Sequence, residues 1–212
     1  MKNFHVSMVG DGDLDLKKIQ HLQIVDDCAL KRESRVIGLI QTIESGTAKD
    51  ELCLWIWDGN LASAFAESMI GCVRDGACAP LEVRLKAVRD EVDRRLALFA
   101  KYHCRDLREY TECASSLDVI ETGEEVLHRG DACRNKERVP FLVVVMNDLC
   151  EIEVCDLDDA VEQLKRISDY GRAAGVHVFS TTSAGAKKGW PEKLADALCT
   201  SMVVLDSSGR RV

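Results

Sequence analysis

No apolar run in this 212-residue chain approaches the ~20 residues that a membrane-spanning helix needs. The opening segment, MKNFHVSMVGDGDLD, lacks an apolar signal core and turns acidic at once, so secretion is not expected. Ten cysteines are present, yet none forms the C-x-x-C pair of zinc ribbons and redox motifs. A structural metal is therefore not expected, and reduced thiols are the default, with Cys53 and Cys150 acting as small hydrophobes in or beside apolar runs. The histidines, His5, His21, His103, His128 and His177, have no ligand-like spacing, and no G-x-S-x-G elbow occurs. Residues 11–15 (DGDLD) look superficially like a calcium loop, but Leu16 stands where that loop needs glycine, so a turn is expected.

Positive charge is also short. The formal net charge of -8 opposes a stand-alone nucleic-acid-binding domain, because such affinity rests on Lys and Arg neutralising phosphates. Arg84, Lys86, Arg89, Arg94 and Arg95 lie close together, but Glu82, Asp90, Glu91 and Asp93 interleave them, which reads as a solvated mixed-charge face. The expectation is a cytoplasmic chain, alone or as the cytoplasmic part of a membrane-anchored protein.

What the chain does contain is short apolar runs separated by helical patterns. Residues 22–25, 52–57, 141–146, 176–181 and 202–205 read as strands. The run FLVVVM at 141–146 does not alternate, so both of its faces are expected to be covered, with Pro140 opening the strand. Trp55 and Trp57, two apart on a strand, share a face and read as core or interface packing. Val36, Ile37, Leu39, Ile40 and Ile43 form one helical stripe ending at Gly46. Leu81, Leu85, Val88, Val92, Leu96 and Phe99 form another, reaching about Tyr102. Asp156 is a candidate N-cap for a third helix, which should stop near Gly171 or Gly175. Residues 111–139 are polar and irregular and read as a long loop or partly disordered excursion. Length and pattern predict a single α/β domain over 1–212 with right-handed crossovers and a mainly parallel sheet flanked by helices.

Several segments, in order, resemble the motor domain of the FtsK/SpoIIIE family of RecA-like P-loop ATPases, which includes the EssC/EccC proteins of type VII secretion. The segment PFLVVVMNDL at 140–149 resembles the family's Walker B strand, and GRAAGVHV at 171–178 resembles its R-x-x-G-[IV]-H turn into the sensor strand. Glu91, Arg94 and Arg95 resemble the E-x-x-R-R helix, and RDLREY at 105–110 the segment after it. Residues 51–58 resemble the strand ending in Asp that follows the first helix. The resemblance implies a RecA-like P-loop fold.

It also marks where nucleotide should sit. The glycine-rich loop corresponds to Asp26, Asp27, Cys28, Ala29, Leu30, Lys31, Arg32 and Glu33, with the following helix expected to begin near Ser34. Ungapped, Arg32 takes the Lys position and Glu33 the Ser/Thr position. A phosphate cradle needs glycines for φ > 0 and close approach, and this loop has none. Forcing an ordinary residue into the left-handed region costs roughly 1–2 kcal/mol. Asp26, Asp27 and Glu33 add like charge, worth about 4 kcal/mol per pair at ~4 Å and an effective dielectric near 20. The Asp-Glu pair of the Walker B end corresponds to Asn147 and Asp148, and the sensor position to Thr182. Asn is a weaker partner for Mg²⁺, and Asp148 is one methylene short of Glu.

The expectation is thus a degenerate, non-hydrolysing ATPase-like domain, with no catalytic residues and no cofactor (ATP/Mg only if the site proves functional). It would serve as a scaffold or regulatory module of a translocation machine of the type VII secretion kind. Its expected partners are sister ATPase domains or copies of itself, and a secreted protein's signal peptide. Arg172 would be the residue reaching a neighbouring subunit, against the alternative of a helix-end arginine bonding local carbonyls. The rival reading is an active ATP-dependent DNA translocase, and a third is an unrelated small ligand or peptide in the vacated pocket. The loop KKGW at 187–190 could contact a partner or be ordinary surface.

Overall fold

A computed structural model describes residues 5–7, 13–15, 21–47, 51–57, 73–74, 79–115, 137–148, 152–183, 193–194, 197 and 202–206. The central sheet contains β3 (His21–Val25), β4 (Leu52–Ile56), β5 (Val73–Arg74), β6 (Phe141–Met146), β7 (Val176–Thr182) and β8 (Met202–Asp206) in the order β5-β4-β6-β7-β3-β8. Every pairing in it is parallel. Strands β1 (His5–Ser7) and β2 (Asp13–Asp15) form a separate antiparallel pair. Asp13 to Asp15 are therefore extended, where the sequence suggests a turn; residues 11 and 12 lie outside the described residues.

The unbroken apolar run of β6 follows from its two covered faces. Val143 and Val145 join Leu22, Ile24, Leu54, Ile56 and Phe179 beneath α1 (Ala29–Gly46), which contributes Val36, Leu39, Ile40 and Ile43. Leu142, Val144 and Met146 face the other way, with Val176 and Val178, against α2 (Leu81–Lys101) and α4 (Leu157–Ala174). Strand periodicity sends alternate side chains to opposite layers, so a strand between two helical layers has no polar side. Each fully buried Val, Leu or Ile contributes about 1.5–3 kcal/mol relative to exposure. Trp55 and Trp57 both lie on the α2/α4 side, ring centroids 6.5 Å apart.

Helix ends follow local chemistry. Asp156 accepts from Asp159 N at 3.0 Å to start α4, and Gly175 ends it at φ 69°. A Cβ at Gly175 would clash with Leu107 as well as strain the left-handed turn. Leu107 belongs to α3 (Leu107–Ser115), a helix that replaces the start of the expected 111–139 excursion. It is held by a third cluster in which Phe99 and Tyr110 rings lie 4.9 Å apart and Tyr110 Oη donates to Glu137 O at 2.9 Å. Residues 116–136 lie outside the described residues, as do 184–192 with the KKGW loop.

The basic cluster on α2 proves only partly a solvated face. Lys86 and Arg89 pair with Asp90, and Arg94 with Glu91 and Glu137, at the surface. Arg84 instead turns inward to Ala79 O and Trp57 O. Arg95 is 2% exposed; it is held by Glu91 at 2.7 Å and donates to Pro140 O at 2.6 Å and Ala174 O at 3.2 Å. Burial pulls the Arg95 pKa down, and the Glu91 carboxylate opposes that. Burial alone would raise the Glu91 pKa, but hydrogen bonds from Arg94 and Arg95 more than offset it and leave that carboxyl below its usual range. Among the described residues no helix is long and apolar enough to cross a membrane, and no group of metal-ligating side chains converges. Cys28 and Cys155 are exposed free thiols.

Candidate functional site

In open parallel sheets, ligands are taken at the carboxyl ends of the strands. Here β7 lies between β3 and β6, so the ends of these three strands meet. The connection from β3 to α1 is only Asp26, Asp27 and Cys28, because the helix begins at Ala29 and not near Ser34. Ala29, Leu30, Lys31 and Arg32 are good helix formers, and they extend the helix back toward the strand.

Four backbone donors of this segment are turned on their own surroundings. Asp26 N donates to Thr182 O at 3.2 Å, and Cys28 N donates to Asp26 Oδ1 at 2.7 Å, an Asx-type turn. Lys31 N and Arg32 N donate to Cys28 O at 3.1 and 3.2 Å. Asp27, Cys28, Ala29, Leu30 and Lys31 are exposed, Leu30 to 74%. Glu33 is half-buried on the helix.

Arg32 is the exception, 3% exposed and folded inward. Its Nη1 donates to the Asp26 carbonyl, and its Nη2 forms an ion pair with Asp148 Oδ1. Its Nε is buried without a hydrogen-bond partner among the described residues. Asp148 adopts φ 45°, a left-handed conformation that Asp tolerates better than most residues. Asp148 N donates to Thr181 Oγ1 at 2.9 Å, and the Thr181 hydroxyl donates to Asn147 Oδ1 at 2.5 Å. Arg32, Asp148, Asn147 and Asp26 thus lie together at the carboxyl ends of β3 and β6.

Thr182 joins differently. Its carbonyl receives Asp26 N, while its hydroxyl donates to Ser183 O at 3.4 Å. The threonine that engages Asn147 and Asp148 is its neighbour Thr181, which the sequence did not distinguish because both are buried on β7. Arg172 is not part of this constellation. It lies near the end of α4, at the amino edge of the sheet, and the seven-residue β7 separates it from the site by about 20 Å. Its carbonyl accepts Gly175 N at 3.1 Å, and its exposed guanidinium bonds no local carbonyl among the described residues.

His21, at the start of β3, is an internal fastener. Its Nδ1 accepts from Val178 N at 3.0 Å, leaving Nε2 to donate to Ile167 O at 3.3 Å. Burial, with the nearby His177, lowers its pKa to about 3, so it is neutral near pH 7. Gly171 makes room for the ring, since a Cβ there would stand 3.1 Å from His21 Cε1.

A parallel sheet covered on both faces, with a helix springing from one central strand and an acidic residue beyond its second neighbour, is the fold of P-loop ATPase domains. The solved structures similar to it are of that class. The cytoplasmic domain of the Thermomonospora curvata type VII secretion ATPase EccC matches with a TM-score of 0.61 at 12% identity, covering 99% of this chain and 23% of that one. EssC (ATPases 2 and 3) from Geobacillus thermodenitrificans matches with a TM-score of 0.60 at 13% identity, covering 93% and 34%. EccC (ATPases 2 and 3) of T. curvata in complex with a signal sequence peptide matches at 0.59 and 12%, covering 96% and 34%.

In sequence, the chain is a relative of the FtsK/SpoIIIE-type P-loop ATPases. The DNA translocase FtsK of Helicobacter pylori is 25% identical over 211 residues, covering 92% of this chain and 23% of that protein. The DNA translocase SpoIIIE of Bacillus subtilis is 22% identical over 173 residues, covering 79% and 20%. The chain thus spans about a quarter of the length of the curated relatives it matches. No protein-family model matches it.

Proposed function

We propose that this chain is a single, non-hydrolysing ATPase-like domain that serves as a scaffold or regulatory module in a multi-domain translocation machine. The observation that carries the reading is the part-buried Arg32–Asp148 ion pair, formed directly behind a three-residue connector. A triphosphate requires a ring of free amides and a lysine reaching the β- and γ-phosphates. At this edge the amides of Asp26, Cys28, Lys31 and Arg32 already have acceptors, and the cation at the lysine position is committed to a carboxylate. Asp26 and Asp27 add negative charge beside any incoming anion. Asn147 supplies a neutral oxygen, already bonded by Thr181, where a hard cation favours carboxylate. These residues do not fit Mg-ATP.

The partners that suit such a module are sister ATPase domains or a second copy, as in the multi-ATPase EccC and EssC proteins it is similar to. A secreted protein's signal peptide is a further proposed partner, in line with the complex solved for T. curvata EccC. Work in the cytoplasm suits both. The active DNA translocase is the second reading, favoured by the names of the curated relatives and opposed by the net charge of -8. Phosphate release from Mg-ATP, measured with and without duplex DNA, separates the two. Only background release is expected in both cases. DNA-stimulated turnover that Arg32→Ala and Asp148→Ala abolish would establish the motor instead.

A further inference from the structure

Arg32 is buried although its neighbours in the first turn of α1, Ala29, Leu30 and Lys31, are exposed. Its guanidinium reaches two strands at once, through the Asp26 carbonyl after β3 and the Asp148 carboxylate beyond β6. Strand β7, between them, is fastened to both ends of this bridge. Thr182 O accepts Asp26 N, and Thr181 Oγ1 accepts Asp148 N. In a working P-loop ATPase the triphosphate and its Mg²⁺ make the link between the loop and the acid of the neighbouring strand. A guanidinium can make the same link, being a planar, always-charged fork of donors that is more weakly hydrated than an ammonium.

We propose that Arg32 is a built-in replacement for the nucleotide, a side-chain ligand that ties the carboxyl ends of β3, β7 and β6 into one fixed arrangement. This rests on the reading that the site does not take Mg-ATP. A free ligand occupies its site in proportion to its concentration, whereas a tethered group is always present at high effective concentration. The carboxyl edge of the sheet therefore does not cycle between filled and empty shapes. Asp27, Cys28 and Leu30, exposed on the same connector and helix start, are held in one geometry for whatever contacts that edge.

Chemical rescue tests this. In the full chain, Arg32→Ala should lower the thermal midpoint by about 5–10 °C. It should also speed amide exchange at residues 26 and 145–148 by ~10-fold or more. Millimolar guanidinium ion should restore both saturably, and neither ammonium at equal concentration nor Mg-ATP should do so. Unchanged midpoint and exchange, or equal recovery with ammonium, would overturn the tie while leaving the non-hydrolysing reading in place. Recovery with Mg-ATP would overturn both. If Arg32→Ala does not fold, Arg32→Lys decides between the outcomes: faster exchange at those amides with α2 unaffected supports the proposal, and unchanged exchange sinks it.

Discussion

Replacing Asp148 with Asn removes one charge from the Arg32 pair while leaving the side-chain shape almost unchanged. The Arg32 side chain is 4% exposed and that of Asp148 is 24% exposed. Without the carboxylate, the guanidinium stays inside the protein with only neutral acceptors, the Asp26 carbonyl and the new amide oxygen, and its Nε is already without one among the described residues. Removing one partner of a fully buried pair costs about 3–5 kcal/mol. Asp148 keeps part of its side chain in solvent and Asn leaves a neutral acceptor, so the cost falls below that range, about 2–3 kcal/mol. For a chain of this length each kcal/mol moves the midpoint by about 2–4 °C, which predicts a fall of about 4–12 °C. The double variant Arg32→Met, Asp148→Asn should recover most of the loss, because it leaves no unpaired charge and Asn tolerates the left-handed backbone at 148. Differential scanning calorimetry of wild type, both singles and the double closes the cycle. An Asp148→Asn midpoint within about 1 °C of wild type, or a double variant worse than the two singles added, would refute the reasoning.

Two further outcomes follow from other fasteners in the fold. His21 is held neutral with its pKa near 3, against 6.5 when exposed, so the unfolded chain takes up a proton that the folded one refuses. Its contribution is complete above pH 6.5 and declines as pH falls toward 3, by about 2 kcal/mol between pH 7.5 and 5. Urea midpoints should show that slope, and His21→Phe should flatten it. Gly175→Ala should destabilise by at least about 1–2 kcal/mol through the left-handed turn alone, with the Leu107 clash adding to it. Thermal unfolding of Gly175→Ala, Leu107→Ala and the double variant separates the two contributions: the clash is the part of the Gly175→Ala loss that vanishes in the Leu107→Ala background, once the loss from truncating buried Leu107 is subtracted.

The layered fold was legible because its signals are local. Every strand expected from an apolar run lies within one or two residues of its place in the sheet, and Asp156 and Gly175 bound α4 by cap chemistry alone. Helix α3 leaves a weak sequence signal because Leu107 and Tyr110 are the core positions among its described side chains, in a segment otherwise rich in charge. The start of α1 was misplaced because resemblance to a glycine-rich loop suggested an eight-residue turn, and helix propensity at Ala29 to Arg32 prevailed. The site was legible as a set of positions and not as a set of bonds. Asp148 is 116 residues from Arg32, and no sequence pattern says that the arginine turns inward to it. Likewise Arg95 closes on carbonyls 45 and 79 residues away, so its membership of a charged run suggested solvent. Thr181 and Thr182 differ only in which side of β7 each hydroxyl takes, a question of register that the sequence leaves open.

The central claim is that the edge formed by Asp26, Arg32 and Asp148 is closed to nucleotide by the protein's own side chains. Isothermal titration of the full chain with Mg-ATP measures this directly. No saturable heat is predicted up to about 1 mM ligand. A binding isotherm with micromolar affinity, lost in Arg32→Ala, would contradict it.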